Sequence, residues 1–546
     1  MKNRLYHTLT RAVLMGVVAS TAAVPAYAAS SLSKPGQDIE TTRPEAQADV
    51  ENKTKQPKVS GEAKFMVKNI QLDAEELELD KNDLKEILIG YIGKEASLND
   101  LEGLQRKLTS YCRSHGYPAA AAYLPEQESK DGNVLLKIIP GRYGEVHLDN
   151  KGKMKNETAE SFLHGLKQGE IITSKSLETA LYSISDVSGA RAVGTLSAGK
   201  GFGTSDVTVH IEPGKPSTTV LYVENYGSEN TGRYRYGLQH TAYDIDGSGA
   251  KANVGVLISN QSLHNYYANY EMLVGHGGTT LGIGYSRMDY TVGGSLRALG
   301  SHGTADTISV FGSSPIYHTS NEQLKFTYGY DYRKLKDDLD AFAGLADSEK
   351  HSHSVHVGLE GSWLNRDSGT NLNYSLTLTG GTLGADSEYA ERLTELSGTD
   401  GSYAKAEAKL TMVQTLGHQA DVMVKLSGQK ASKHLDSSEQ MYLGGANAVR
   451  AYGQGAGTGD DGVLGTVEFR LYTDVPGLVV STYFDIGHVS SSAYSDTLKG
   501  WGIGLAYNAP GDWFARIDYA RRIGLGDYES LLTDRARLWF LVGKIW

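Results

Sequence analysis

Between about Ser217 and Trp546 the chain repeats a short unit, roughly ten residues of alternating apolar and polar character followed by a polar, Gly-rich break. Tyr234, Tyr236 and Leu238 alternate with Arg233, Arg235 and Gln239, and Leu324, Phe326, Tyr328 and Tyr330 with Lys325, Thr327 and Asp331. Val467, Phe469 and Leu471 alternate with Thr466, Glu468 and Arg470, and Trp513, Ala515, Ile517 and Tyr519 with Arg516 and Asp518. A period of two predicts strands. Here the polar parity carries ionisable side chains and the apolar parity is rich in Tyr, a combination suited to a closed sheet with lipid outside and a wet lumen inside. The stretch divides into sixteen strands at ~20 residues per strand and connection. Breaks at 275–278, 415–419, 473–477 and 508–511 are tight, and those at 290–304, 335–350, 380–400 and 431–461 are long. Short periplasmic turns and long outer loops are the expected asymmetry.

The segment before residue 216 has a different period. A strand is predicted over Lys64–Leu72, a helix near Lys81–Gly90, and a second helix over Ser97–Ser114. In that second helix Leu98, Leu101, Leu104 and Leu108 form one apolar face, with Ser97 or Asn99 as its cap. Strands at Ala119–Leu124 and Asn133–Ile139 complete a β-α-α-β-β unit. The order then recurs in Glu145–Leu148, helices near Glu157–Leu166 and Ser174–Val187, and strands Arg191–Leu196 and Asp206–Ile211. The expected organisation is therefore a signal peptide (1–28), a linker (29–62), two small α+β modules (63–140 and 141–215) and a transmembrane β-barrel (216–546).

The first 28 residues supply the signal: Lys2, Arg4 and Arg11, an apolar run from Ala12 to Val24, and the Ala26-Tyr27-Ala28 cleavage pattern. The linker is polar and aperiodic, although Glu45–Lys53 has weak helical character. Elsewhere no run of 18 apolar residues appears, so no helical span is expected. The 33 Tyr against 10 Phe, with 64 Gly and 12 Pro, fit interfacial girdles and tight strand turns. A net charge of −11 argues against nucleic acid as a partner. The single cysteine, Cys112, excludes an internal disulfide framework. Exported, rich in strands and without a membrane helix, the chain is expected in an outer membrane, its outward face against lipid and both modules in the periplasm.

Two patches exceed barrel architecture. One is Gly444-Gly445-Ala446-Asn447-Ala448-Val449-Arg450-Ala451-Tyr452-Gly453 in the long loop at 431–461; the other is Phe484-Asp485-Ile486-Gly487. They resemble the superfamily of outer-membrane barrel assembly factors and polypeptide transporters. In that superfamily a Val-Arg-Gly-Tyr loop tip enters the lumen and its arginine meets an inward aspartate. Ala451 stands where the family has glycine, which puts the conformation of the tip at issue. Tyr111-Cys112-Arg113-Ser114-His115-Gly116-Tyr117, Tyr123-Leu124-Pro125-Glu126-Gln127 and Tyr222-Val223-Glu224-Asn225-Tyr226-Gly227 are similar to module and first-hairpin signatures of one branch, the two-partner-secretion transporters (TpsB; ShlB/FhaC/HecB-like). The last strand, ending on Trp546 with Leu538, Phe540 and Val542 in phase, resembles the C-terminal recognition strand of such barrels, whereas the inner parity (Trp539, Leu541, Ile545) does not fit a polar lumen.

The resemblance implies two POTRA-type modules on the barrel and secretion of a large exoprotein partner such as a hemolysin, adhesin or contact-dependent toxin. It implies no enzyme activity, cofactor or nucleotide, and it alone raises a pore-plugging helix within 29–62 as an alternative to a plain linker. A barrel-insertion factor is the alternative within the superfamily, and a diffusion porin the alternative outside it. The residues carry part of this independently. Leu478, Val480, Phe484 and Ile486 share a parity opposite to Asp485, so Asp485 faces the lumen, where a carboxylate needs a partner and a forked guanidinium fits best. From the residues alone, Arg450 is either that partner or an exposed loop arginine; the resemblance selects the partner. Val449, Ala451, Tyr452 and Gly453 are the expected tip, with Glu468, Arg470, Phe484 and Gly487 as support from the lumen wall. Ala119, Ala121, Tyr123, Arg191 and Val193 mark candidate sheet edges for an extended substrate. The Gly199–Thr204 run lies between two strands and reads as a hairpin turn rather than a phosphate loop. His351 and His353 share a face but lack a carboxylate or cysteine in their pattern, so no metal site is assigned.

Overall fold

The computed structural model describes residues 47–52, 64–127, 131–344, 346–492, 494–509, 512–524 and 534–546. The expected signal peptide and most of the expected linker lie outside these residues. The first ordered layer is built around the helix Leu98–Ser114. Ser97 caps it in a closed box: the Ser97 hydroxyl accepts from the Asp100 N–H at 3.3 Å, and Asp100 accepts the Ser97 N–H at 2.8 Å. These bonds hold the Asp100 carboxyl below its ordinary range. Leu101, Leu104, Leu108 and Cys112 form the buried stripe and pack with Leu84 and Leu88 of the helix Lys81–Ile89. Beneath them Asn133–Ile139 pairs in parallel with Asn69–Asp73 and antiparallel with Ala121–Tyr123. The strand expected over Lys64–Leu72 is broken at Lys68; its first half, Lys64–Val67, pairs instead with Lys94–Ser97.

Burial pushes the Cys112 thiol up to about 11, so thiolate is scarce at neutral pH. Iodoacetamide at pH 7.5 is expected to alkylate the native protein at least tenfold more slowly than the urea-unfolded chain, as read by mass spectrometry. Equal rates would show the helix face to be open.

In the second layer the helices Asn156–Leu163 and Ser174–Ser188 cover a four-stranded sheet. Its order is Gln47–Asn52, Arg191–Ala198, Thr204–Ile211, Arg142–Asn150. The first of these corrects the sequence reading. Gln47–Asn52 lies in the expected linker, where the local pattern suggested a short helix, yet it is a strand running parallel to Arg191–Ala198 from Gln47↔Arg191 to Asn52↔Leu196. Its one apolar position within the described side chains, Val50, packs on the module core. Strand here is imposed by the neighbouring edge rather than by local propensity. The Gly199–Thr204 run closes the hairpin between Arg191–Ala198 and Thr204–Ile211, with Gly199 N–H donating to Thr204 C=O at 3.0 Å.

Residues 217–545 form a closed antiparallel barrel of sixteen strands, from Ser217–Glu224 to Ala536–Ile545, which pair with each other. Polarity is inverted relative to a water-soluble sandwich. Val467, Phe469 and Leu471 are 49%, 41% and 44% exposed on the outer surface, whereas Glu468 is 2% exposed on the inner one. Closure satisfies every strand edge, as hydrocarbon requires. Three consecutive strands, Ser301–His318, Glu322–Leu339 and Ser348–Asn365, each run 18 residues, so the loops expected at 290–304 and 335–350 are partly strand, and Thr370–Ala385 extends into the one expected at 380–400. Such a strand reaches about 60 Å, beyond a ~30 Å hydrocarbon layer even when tilted. Its outer parity there carries Lys334, Lys336, Asp338 and Glu349, with Lys336 paired to Glu349 at 3.1 Å. That charge broke the alternation and made strand look like loop.

The second module sits on the periplasmic turns. On its helix Ser174–Ser188, Thr179 accepts the His318 N–H at 2.9 Å, Asp186 lies 3.0 Å from His318 Nδ1, and Glu178 accepts the Ser320 N–H at 2.6 Å. Lys153 reaches the Ile245 carbonyl at 2.9 Å.

Candidate functional site

The segment 432–460 leaves the barrel between Ala420–Ala431 and Asp461–Tyr472 and folds back inside. A two-residue ladder, Met441–Tyr442 with Thr458–Gly459, zips its stem, and Val449 N–H donates to Leu443 C=O at 2.7 Å to close the tip. Gly445, at φ +143°, makes the bend that turns the tip over.

The tip is built on Arg450. Its Nε donates to Asp485 Oδ2 and its Nη2 to Asp485 Oδ1, both at 2.9 Å, a two-pronged contact that only a guanidinium provides. The Arg450 backbone N–H adds a bond to Oδ2 at 3.1 Å, and Thr466 Oγ1 adds one to Oδ1 at 2.9 Å. Arg450 Nη1 donates to Glu468 at 3.0 Å and reaches Asp518 at 3.4 Å, while its plane lies over the Tyr483 ring. Trp539 Nε1 donates to the Arg450 carbonyl at 2.6 Å. Arg516 closes the set with bonds to Glu468 at 3.1 Å and Asp518 at 2.6 Å. Asp485 is 0% exposed and Arg450 5%, so charges here are removed from bulk water and each is met by opposite charge and hydrogen bonds.

The structure thus brings Arg450, Asp485 and Glu468 together. Val449, Ala451 and Tyr452 are buried in the same tip cluster. Ala451 resolves the departure from glycine: among the described residues only Asp244 is a non-glycine with positive φ, so the position does not demand glycine. Room for its methyl comes from the wall, where a Cβ on Gly500 would lie 2.6 Å from Ala451 Cβ. Arg522 stacks on Tyr452 at 4.6 Å, and Gly453 passes Arg537, whose Nη2 would lie 3.2 Å from an added Cβ. Gly487 faces inward against Leu443.

Two support residues are placed differently. Arg470 faces the lumen but serves a separate pair, donating to Asp421 at 2.7 and 3.0 Å. Phe484 points out to lipid, 39% exposed, because it is one residue out of phase with Asp485. Sequence reasoning missed Asp518, Arg516, Tyr483 and Trp539. Trp539 had left a signal: an indole on the inner parity of the last strand, with an N–H that needs an acceptor.

The substrate-edge candidates also separate. Ala121 and Tyr123 lie on an edge strand of the first module, and the Tyr123 ring meets Phe202, 82% exposed, edge-on at 6.0 Å. Ala119 is not on that strand; it is buried in the core of the second module. Arg191 and Val193 are not on a free edge, because Gln47–Asn52 occupies it and Arg191 pairs with Asp49 at 3.5 Å. Of the histidines, His351 pairs with Asp386 at 2.8 Å and His353 with the Tyr330 hydroxyl at 2.7 Å.

Residues 203–507 match the family of haemolysin secretion/activation proteins ShlB/FhaC/HecB, and residues 65–141 match the ShlB-type POTRA domain. The chain is similar to the heme/hemopexin transporter protein HuxB of Haemophilus influenzae, 28% identical over 497 residues that cover 88% of this chain and 87% of the relative. It is similar to the outer membrane transporter CdiB of Dickeya dadantii at 21% identity over 475 residues, covering 83% and 81%. In fold it matches CdiB from Escherichia coli with a TM-score of 0.69 at 18% identity, over 95% of each chain. It also matches BamA from Haemophilus ducreyi lacking POTRA domains 1–3, with a TM-score of 0.52 at 14% identity, over 88% of this chain and all of the other.

Proposed function

The chain belongs to the ShlB/FhaC/HecB family of haemolysin secretion/activation proteins, and from that membership we propose how it moves its partner exoprotein through the outer membrane. The family is one of secretion transporters, not enzymes. The observation that carries the reading is a loop inside the lumen whose tip is locked to the wall by the buried Arg450, above a pair of small modules of which the second is bonded to the periplasmic turns. A fixed diffusion pore has no use for the modules.

The passenger, on this reading, is a large, unfolded, strand-rich exoprotein of the hemolysin, adhesin or contact-dependent toxin kind. It enters the periplasm extended and adds a strand to an available module edge. At the edge strand Ala121–Tyr123 the Ala122 N–H already donates to Thr109 Oγ1 at 2.9 Å, so the passenger displaces that bond as it lies along the Tyr123 and Phe202 rings beside it. Movement within the loop 432–460 then opens the lumen, and folding at the cell surface gives the step its direction without nucleotide.

Co-expression tests this. A strand-rich exoprotein encoded beside this chain, carrying its own N-terminal secretion segment, is expected in the medium only when this chain is present. Equal release from cells lacking the chain would overturn the reading.

A further inference from the structure

The tip is one of several places where the loop is held. Its shoulder, residues 434–440, leans the opposite way around the barrel. Asp436 accepts from Lys350 at 2.5 Å, and its other oxygen is fixed by the Ser438 N–H and hydroxyl at 3.1 and 2.8 Å. Glu439 takes Arg333 at 2.9 Å on one oxygen and Lys405 at 3.1 Å on the other. Asp460 ties this stretch into one unit, accepting from Leu435 N–H at 2.9 Å and Gln440 at 3.1 Å. Lys350 and Lys405 are 5% and 10% exposed at the side chain, so these contacts are not surface ion pairs.

The two attachments differ in what each leaves behind. Withdrawing the shoulder exposes three wall cations, Arg333, Lys350 and Lys405. Each has a wall carboxylate within its reach. Asp337 lies diagonally across the strand pair from Lys350 and takes the Tyr290 hydroxyl; Glu407 is 3.4 Å from Lys405; and Asp331 sits two residues before Arg333 on the same face. Three cations thus give up two loop carboxylates and keep three on the wall, and the wall stays neutral. Withdrawing the tip instead leaves Glu468, Asp485 and Asp518 with Arg516 bonded to them and Lys425, opposite Thr466, in the same cavity, three negative charges against two positive. Stranded buried charge is the expensive outcome, and re-paired charge the cheap one.

We propose that the shoulder is the releasable latch of this transporter and the Arg450 tip its anchor, so that the lumen opens by 434–440 leaving the strands Glu322–Leu339, Ser348–Asn365 and Gly401–Thr415 while Arg450 stays on Asp485. Asp436 and Glu439 are positioning residues for the closed state. The proposal deepens the transport reading and rests on it. Its test, however, is the ionic current through the purified full chain in planar bilayers, which needs no partner.

The variant Asp436→Asn with Glu439→Gln is expected to raise the open fraction at least tenfold while keeping partner secretion within twofold of the parent. Adding Asp436→Lys to Lys350→Glu is expected to lower the open fraction at least threefold from that of Lys350→Glu alone, which a general loosening of the barrel would not do. The return stops short of the parent because the new carboxylate faces Asp337. Heat-modifiable migration on gels checks that each variant is folded. An unchanged open fraction in the folded Asn/Gln variant overturns the latch. So does a variant that opens but loses secretion, since the shoulder would then be needed during transport. Failure of the transport reading appears separately, as absence of secretion from the parent protein.

Discussion

Arg450→Ala is expected to stop export, with partner in the medium falling at least tenfold, while the barrel still inserts and migrates as a folded species. The argument is one of stranded charge. Asp485 receives three of its four hydrogen bonds from Arg450 and has no exposure to water. Removing one partner of such a pair costs about 3–5 kcal/mol, roughly a hundredfold or more in the population of the docked tip. The cost falls on the loop because the wall strands keep their ladder bonds, each paired on both sides. Arg450→Lys is expected to recover little. A single ammonium cannot span both oxygens of Asp485 while also reaching Glu468 and Asp518. Asp485→Asn should be milder than Arg450→Ala, since Thr466 and the Arg450 backbone N–H remain and Glu468 and Asp518 still face the guanidinium. Reversing both charges, Asp485→Arg with Arg450→Asp, is expected to restore part of the export lost in Asp485→Arg alone. Recovery is partial because the carboxylate introduced at position 450 would face Glu468. Wild-type export from Arg450→Ala would show that the tip anchors nothing that transport needs.

The barrel was legible because lipid imposes a period of two with apolar residues outward, and that constraint acts at every membrane-embedded position. Legibility failed where the constraint lapses. Lys334, Lys336 and Glu349 stand on outward positions past the hydrocarbon, so strand there carried no apolar signature. Gln47–Asn52 failed for the opposite reason: its strand state is given by Arg191–Ala198, far along the chain, and six polar-rich residues cannot announce a remote partner. At the site, the Arg450–Asp485 pair could be read because parity places Asp485 inside and chemistry asks for a forked cation. Its neighbours could not, since Glu468, Arg470, Arg516 and Asp518 all face inward and the alternation does not say which cross the lumen to meet. Arg470 belongs to Asp421, and only register and loop path decide that. Phe484 shows the reverse error, where membership of a motif was allowed to outweigh a one-residue change of phase.

Deleting residues 64–214 should separate the two halves of the machine, abolishing secretion to the level of cells without the transporter while leaving bilayer conductance measurable. Conductance survives because all sixteen strands find both their neighbours between 217 and 545, and the closed ladder borrows no bond from the modules. What the barrel loses is a set of contacts at its periplasmic turns, chiefly Thr179, Asp186 and Glu178 on His318 and Ser320, together with Lys153 on Ile245. These hold the second module at the pore mouth but close no strand edge. Secretion is lost because an unfolded passenger in the periplasm has then no sheet edge to join, and the lumen wall, lined by side chains already paired with one another, offers no extended backbone to pair with. A finer variant asks the same question within a folded chain. Phe202→Ser with Tyr123→Ser removes the two rings beside the edge strand without touching either buried core, and it is expected to lower secretion several-fold at unchanged conductance. Full secretion from the deleted barrel would mean that passengers are recognised inside the lumen, and the modules would then need another task.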